Sequence, residues 1–307
     1  MRSKGVLALI SAVATTVLTG CGGGGSSSGP STYGGAPPTA AASATPTPSA
    51  TPTAAPLSYT GRVVDAGHGK VPVVGATVTL GTTIAYTGTA YMIAGFTTMA
   101  RTAADGSFTV AGIPGQLFIE VDASGLVSLH RPLPTNSTRF GTLALPTATA
   151  EDTAGLAELN MHRQKLGSGN GTRPLSLDAD LELLARYRVA DMAANGYFGH
   201  TAPGQSRGAS EVYLCTIDTG AFCASPSASP IYDQENIAAD APSQAASEDG
   251  YVVLGPTDGH YQNIVSRTDL WVGFGEAQNG KPAPGLSGTV ASYYAEEFFT
   301  STANPEP

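Results

Sequence analysis

The hydrophobic period of this chain changes once. From residue 57 to about 146 apolar residues alternate with polar ones in short runs, and after about residue 148 they recur at helical spacing. Tyr59-Thr60-Gly61-Arg62-Val63-Val64, residues 76–80, 107–110 and 118–121 each place every second side chain on one face. Gly, Asp and Pro punctuate them, as at Asp105-Gly106 and Ile113-Pro114-Gly115. These runs predict a small all-β sandwich over 57–147. Beyond it, Leu156, Leu159 and Leu166 share a face of a helix that stops at Gly167, with Asn160 and Arg163 as its polar residues. A second helix follows Pro174-Leu175-Ser176, with Ser176 expected as N-cap and Asp178 and Asp180 in the first turn, where the helix dipole favours anions. Leu177, Leu181, Leu184, Ala185 and Met192 form its buried stripe, and Asn195-Gly196 ends it. Residues 270–275 and 290–299 read as strands, so the fold class is α+β.

Nothing before residue 57 can join that core. Residues 22–56 are dominated by Gly, Ser, Pro, Thr and Ala and hold no acidic or basic residue. Such a stretch buries too little apolar surface to offset the entropy of ordering, so 21–56 is expected as a flexible tether. Residues 1–20 follow the plan of a secretory signal: Arg2 and Lys4, an apolar run over 5–18, then small residues. The run falls short of the ~20 residues that a membrane span needs. It ends in Leu18-Thr19-Gly20-Cys21, which resembles the lipobox of bacterial lipoproteins. That resemblance implies a lipidated Cys21 as the first mature residue, and hence a protein tethered to the cell envelope on its extracytoplasmic side, at the outer membrane or cell surface. With two acyl chains the anchor is stable, at about 0.8 kcal/mol per buried CH₂. The alternative is an ordinary signal peptide with a chance cysteine.

Only 13% of the 307 residues are charged and the formal net charge is -9, which becomes more negative once Arg2 and Lys4 are removed. A nucleic-acid partner, or a lipid surface held by basic residues, is excluded on that ground. With Cys21 assigned to lipid, Cys215 and Cys223 remain as an even pair in an oxidising compartment and are expected to form a disulfide around a short loop. A two-thiolate metal site is the alternative.

The chemistry gathers in three phrases: GYFGH ending at His200, QENIA around Glu235 and GHYQNIV around His260. Two neutral imidazoles can hold a divalent metal such as zinc, and a carboxylate can add a ligand or take a proton as general base. The patterns GxSxG, HExxH, GxxxxGK[ST] and CxxC are absent. Ser206, Ser210 and Ser247 lie nearby in a serine-rich composition and are not read as nucleophiles. Trp271 and Tyr293-Tyr294 are expected as core strand residues, and His68 and His130 as solvated turn residues.

The ordered blocks LNMHRQKLG, PLSLDADLELLARYRVADMAANGYFGH, Arg207, QENIA, GHYQNIV, WVGFG and YYAEEFF resemble the CAP superfamily of cysteine-rich secretory proteins, antigen 5 and pathogenesis-related proteins, over about 155–300. The resemblance implies a CAP domain over 151–302 with a three-layer α-β-α sandwich and a surface cleft lined by two histidines and two acids. By motif, His200, His260 and Glu235 take three of those positions. The second acid is open among Glu248, Asp249 and Asp258, because the stretch SQAASEDGYVVLGPTDGH has no Trp to fix the register. Likewise GRVVDAG, VVGATVTL and TAADGSFTVAGIPG resemble the carboxypeptidase regulatory-like β-sandwich, which implies a non-catalytic spacer. The reading is of a binding module whose cleft takes a small apolar or sterol-like molecule, a carbohydrate or a divalent metal held by His200 and His260. A metal-assisted hydrolase of an envelope polymer, with Glu235 as base, and a structural or adhesive protein are the alternatives, and the balance leans away from an enzyme.

Overall fold

The computed structural model describes residues 57–113, 115–133, 137–167, 172–205, 234–283, 286 and 289–300. The expected signal and tether with Cys21, and the segment holding Ser206, Arg207, Ser210, Cys215 and Cys223, lie outside them. Alternating sequence becomes strand throughout the first part: β1 (Leu57–Asp65), β2 (Val71–Pro72), β3 (Thr77–Gly81), β4 (Thr83–Tyr86), β5 (Tyr91–Ala94), β6 (Thr98–Arg101), β7 (Ser107–Gly112), β8 (Phe118–Asp122), β9 (Leu129–Pro132) and β10 (Arg139–Leu145). β1 runs parallel to β10 and antiparallel to β7 and β2, a second sheet has the order β6-β3-β8-β9, and β4 pairs with β5 alone. Val63, Phe108, Val110, Leu143 and Leu145 of the first sheet meet Val78, Leu80, Ile119, Val121 and Leu129 of the second in one buried core. The turn at Asp105-Gly106 forms as expected, with Gly106 at φ 78 and a built Cβ there only 2.4 Å from the Val63 carbonyl oxygen.

The second part comprises α1 (Ala150–Gly167), β11 (Ser176–Leu177), α2 (Ala179–Asn195), β12 (Gln234–Ala239), α3 (Gln244–Val253), α4 (Gly259–Ile264), β13 (Asp269–Pro282) and β14 (Thr289–Thr300). The sheet order is β11-β13-β14-β12, which makes β12 an edge strand. Strand alternation sends Val272, Phe274 and Phe298 into a cluster with Leu159 of α1, Tyr251 of α3 and Ile264 of α4. Trp271 and Phe299 point the other way, onto Leu181 and Leu184 of α2. The glycines of WVGFG share that second face. A Cβ on Gly273 would sit 2.0 Å from the Leu181 carbonyl carbon, and one on Gly275 would sit 2.3 Å from that of Ala185. Only glycine allows α2 to lie this close to the strand.

α2 ends where expected, with Gly196 at φ 65 donating its N–H to the Met192 carbonyl. Its start differs from the expectation. The N-cap is Asp178, whose side chain accepts from the N–H groups of Asp180 and Leu181, while Ser176 lies in β11. β11 is pinned in turn by α1, since Asn160 donates to the Leu175 carbonyl at 3.0 Å and its Oδ1 accepts the Leu175 N–H at 2.8 Å. Arg163 is buried and donates to the carbonyls of Arg173 and Ile264. Burial pulls its pKa down to about 10, and the charge of Asp269 opposes that shift.

The two parts share a buried seam. His130 of β9, expected in solvent, is 6% exposed. Its ring stacks on Trp271 at 4.4 Å, and Asp178 Oδ2 accepts from its backbone N–H at 2.7 Å and lies 3.1 Å from its Nδ1. The side chain of Asp178 thus caps α2 with one oxygen and grips β9 with the other. Beside it Arg131 forms a two-pronged pair with Asp180, both buried. Ile84, Tyr91, Ile93 and Phe118 close the seam against Leu181, Leu184, Leu270 and Trp271. All the described residues therefore belong to one compact unit.

Candidate functional site

β12 carries the acid of QENIA, and its alternation decides what that acid can reach. Glu235 and Asn236 are neighbours in sequence and point to opposite faces of the edge strand. On the α2 face, Glu235 Oε1 lies 2.6 Å from His200 Nδ1, and Oε2 accepts from Arg188 Nε at 2.7 Å. Arg188 also donates to Tyr197 Oη at 2.7 Å and to the Gly199 carbonyl, and Tyr197 donates to Asp191. Gly196 turns the chain after α2, so that Tyr197 and Gly199 meet the guanidinium and His200 meets its partner Glu235. Burial pulls the pKa of Arg188 down, but Glu235 and Tyr197 outweigh it and the net shift is upward. Tyr197 is raised by burial and by its bond to Asp191.

On the other face Asn236 holds the second histidine. Its Nδ2 donates to the His260 carbonyl at 3.3 Å and to Glu296 Oε2 at 2.9 Å, and its Oδ1 accepts from Asn263. His260 opens α4, where Asp258 is the N-cap and its Oδ1 lies 2.8 Å from His260 Nδ1. The His260 side chain holds the Asp258 carboxyl below its ordinary pKa. The His260 ring stacks on Tyr251 with centroids 5.1 Å apart and planes 2° from parallel. Tyr251 itself is raised by burial and by the charge of Glu235.

The two imidazoles meet over the edge of β12 with ring centroids 6.4 Å apart. Their side chains are 56% and 29% exposed, so a ligand can reach both from solvent. Each Nδ1 is engaged by a carboxylate, which fixes ring orientation and leaves Nε2 for other partners. The open choice of second acid divides by position. Asp258 lies directly on His260, and Glu248 is buried in α3, where Gln244 donates to its Oε1 at 3.3 Å. Glu296 sits beneath this layer and accepts from the neutral amides of Asn236 and Gln244, and burial pushes its pKa up to about 8. Ser247 is buried and donates to the Gln244 carbonyl. Trp271, Tyr293 and Tyr294 are buried strand residues, as expected.

The sequence reading missed Arg188, the centre of the network. The signal was there: Arg188 falls between Ala185 and Met192 on the apolar stripe of α2, and a charge on a buried stripe needs a buried partner. A further group was also missed. Glu158, His162 and Asp249 present ligand atoms within 4.8 Å of one another and can hold a metal ion; they are the one such trio among the described residues. His200, Glu235 and His260 do not converge that closely.

Residues 156–283 match the model of the cysteine-rich secretory protein family, CAP. The C-terminal part is a CAP domain. Its boundaries take in the two histidines, Glu235 and all of β13. A comparison with curated proteins found no match. Among solved structures, a cysteine-rich secretory protein from Staphylococcus aureus is similar at 10% identity, over 70% of this chain and 59% of that one, with a TM-score of 0.28. A 9R-lipoxygenase from Cyanothece PCC8801 gives 12% identity over 39% of this chain, a TM-score of 0.22 and a span of only 25% of its own length. The dioxygenase domain of a Streptomyces carbohydrate-binding fusion protein gives 22% identity, 31% and 80% coverage and a TM-score of 0.20. Likenesses this loose carry no argument about the CAP site. No helix among the described residues is long and apolar enough to cross a membrane.

Proposed function

We propose that this protein is an extracytoplasmic CAP-domain lipoprotein whose cleft over the edge of β12 binds a small apolar molecule. The observation that carries the reading is the pair of solvent-reachable imidazoles 6.4 Å apart, each oriented through Nδ1 by a carboxylate. A prearranged polar pair beside the stacked Tyr251 and His260 rings suits a ligand with an apolar body and one polar end. Helices on both faces of the sheet support the three-layer α-β-α reading. Zinc is a second occupant of the same cleft, through the Nε2 atoms of His200 and His260.

Glu235 is poorly placed for a general base, since Arg188 and His200 engage both of its oxygens. That supports binding over hydrolysis. Cys21 is the lipid attachment, the tether over 21–56 supplies reach, and the strands over 57–147 form a carboxypeptidase regulatory-like sandwich that presents the cleft. Cys215 and Cys223 form a disulfide.

Protein purified from the envelope should carry a co-purifying apolar molecule, identified by mass spectrometry of an organic extract and lost from a His200→Ala, His260→Ala variant. If nothing co-purifies and no sterol, fatty acid or oligosaccharide raises the melting temperature, the reading is wrong. Turnover of an envelope polymer that disappears in Glu235→Gln would favour the hydrolase instead.

A further inference from the structure

α1 and α3 meet at a point that the cleft does not use. Glu158 and His162 are four residues apart on α1, the spacing that brings side chains to one helical face, and Asp249 reaches them from α3. Both carboxylates approach the same atom: Asp249 Oδ1 lies 3.0 Å and Glu158 Oε1 3.4 Å from His162 Nε2. One ring nitrogen carries at most one proton, and of the two carboxylates Asp249 makes the hydrogen bond to it. The second carboxylate has no proton to receive from that nitrogen.

A metal ion accounts for both approaches. Zinc binds imidazole nitrogen at about 2.0–2.1 Å and carboxylate oxygen at about 2.0–2.2 Å, so ligand atoms around a tetrahedral ion stand roughly 3.3 Å apart. The observed 3.0 and 3.4 Å bracket that spacing. One nitrogen and two oxygens form a donor set suited to borderline divalent cations, and less to calcium, which takes six to eight oxygens. Exposure is graded in the way a metal site needs. The His162 side chain is 7% exposed and forms the floor, whereas Asp249 is 66% exposed and leaves a side open for water ligands.

We propose that Glu158, His162 and Asp249 bind one zinc-like divalent ion that ties α1 to α3. The ion does not belong to the cleft, but it acts on the helix that supports it. Asp249 follows Glu248 in the layer beneath the cleft and precedes by two residues Tyr251, the ring on which His260 stacks. The start of α3 is already fixed: Glu151 Oε2 accepts the Gln244 N–H at 3.0 Å, and Gln244 packs so tightly on Gly155 that a Cβ there would lie 2.4 Å from its Cγ. The ion supplies a second fixed point near the middle of the helix, which holds Tyr251 under His260.

Zinc chloride titrated into the purified full chain by calorimetry tests this, with the wild type compared to Asp249→Asn, His162→Ala and the His200→Ala, His260→Ala pair. Asp249 is exposed, so Asp249→Asn folds even if His162→Ala does not. One zinc equivalent should persist in the cleft pair, and Asp249→Asn should weaken that equivalent tenfold or more. The His200→Ala, His260→Ala pair should also keep a zinc-dependent rise in melting temperature that disappears when Asp249→Asn is added to it. Zinc binding unchanged in Asp249→Asn, binding lost wholly in the cleft pair, or no binding at all would each overturn the site. None of these outcomes bears on whether the cleft carries an apolar molecule.

Discussion

Replacing Arg188 by Met keeps most of the side-chain volume in α2 and removes the charge that balances Glu235. The two side chains are 0% and 1% exposed, so no water can take the place of the guanidinium. Removing one partner of a buried pair costs about 3–5 kcal/mol, because the other is left as an uncompensated charge. The lost bonds to Tyr197 and the Gly199 carbonyl add to this, although Tyr197 keeps Asp191 and His200 keeps Glu235. We take about 4 kcal/mol as the central value. For a unit of this size, at about 2–4 °C per kcal/mol, the melting temperature should fall by roughly 8–16 °C. Urea denaturation should give the same loss as a lowered midpoint with an unchanged slope. A second substitution decides the cause. Glu235→Gln removes the stranded charge yet can still hydrogen-bond His200, so the Arg188→Met, Glu235→Gln double variant should recover half or more of the loss. The reasoning is refuted if Arg188→Met lies within about 1 kcal/mol of wild type, or if the two substitutions simply add and so show no coupling.

Two further outcomes follow from the packing around the site. The carboxyl of Glu296 has a pKa of about 8 in the fold against an ordinary 4.5, so the folded chain keeps a proton that the unfolded chain releases between those values. Its contribution is therefore fully present below pH 4.5 and is lost as pH rises through about 8, on the order of a few kcal/mol. Glu296→Gln should flatten thermal stability across pH 5 to 8, leaving the slope due to Glu182, which burial pushes up to about 9; an unchanged profile would count against a neutral buried acid. Gly275→Ala should drive a methyl into the Ala185 backbone and cost about 1–3 kcal/mol or more by denaturant melts. Gly250→Ala, with nothing within 4 Å, should stabilise α3 by about 0.5–1 kcal/mol. Equal effects at the two glycines would refute the close approach of α2.

Much of the fold was legible because its signals are local. β1, β3, β7 and β8 form where short apolar runs alternate with polar residues, strictly so in β7, and Gly167 and Gly196 end helices whose apolar spacing had announced them. The phrases holding His200, Glu235 and His260 were legible as motifs, and their grouping into a CAP domain follows from their order. Their contacts were not legible. That Glu235 takes His200 while Asn236 takes His260 depends on β12 being an edge strand with helices on both faces, a fact of sheet order that no local pattern carries. Asp258 was a candidate acid by position alone, and its bond to His260 follows from its capping of α4.

His130 marks the boundary between the two kinds of information. In Leu129-His130-Arg131-Pro132 the flanking residues read as an exposed turn, and by itself the segment has no reason to be buried. Its environment comes from Asp178, 48 residues away, and from the face of Trp271. Strand period, helix ends, the tether and the three phrases are written in residues that neighbour one another, because local backbone preference and alternation act over a few positions. The seam of His130, Arg131, Asp178 and Asp180, the Arg188 network and the trio of Glu158, His162 and Asp249 exist only once distant segments pack. A buried polar group is stable only beside its partner, and the fold alone decides which partner that is.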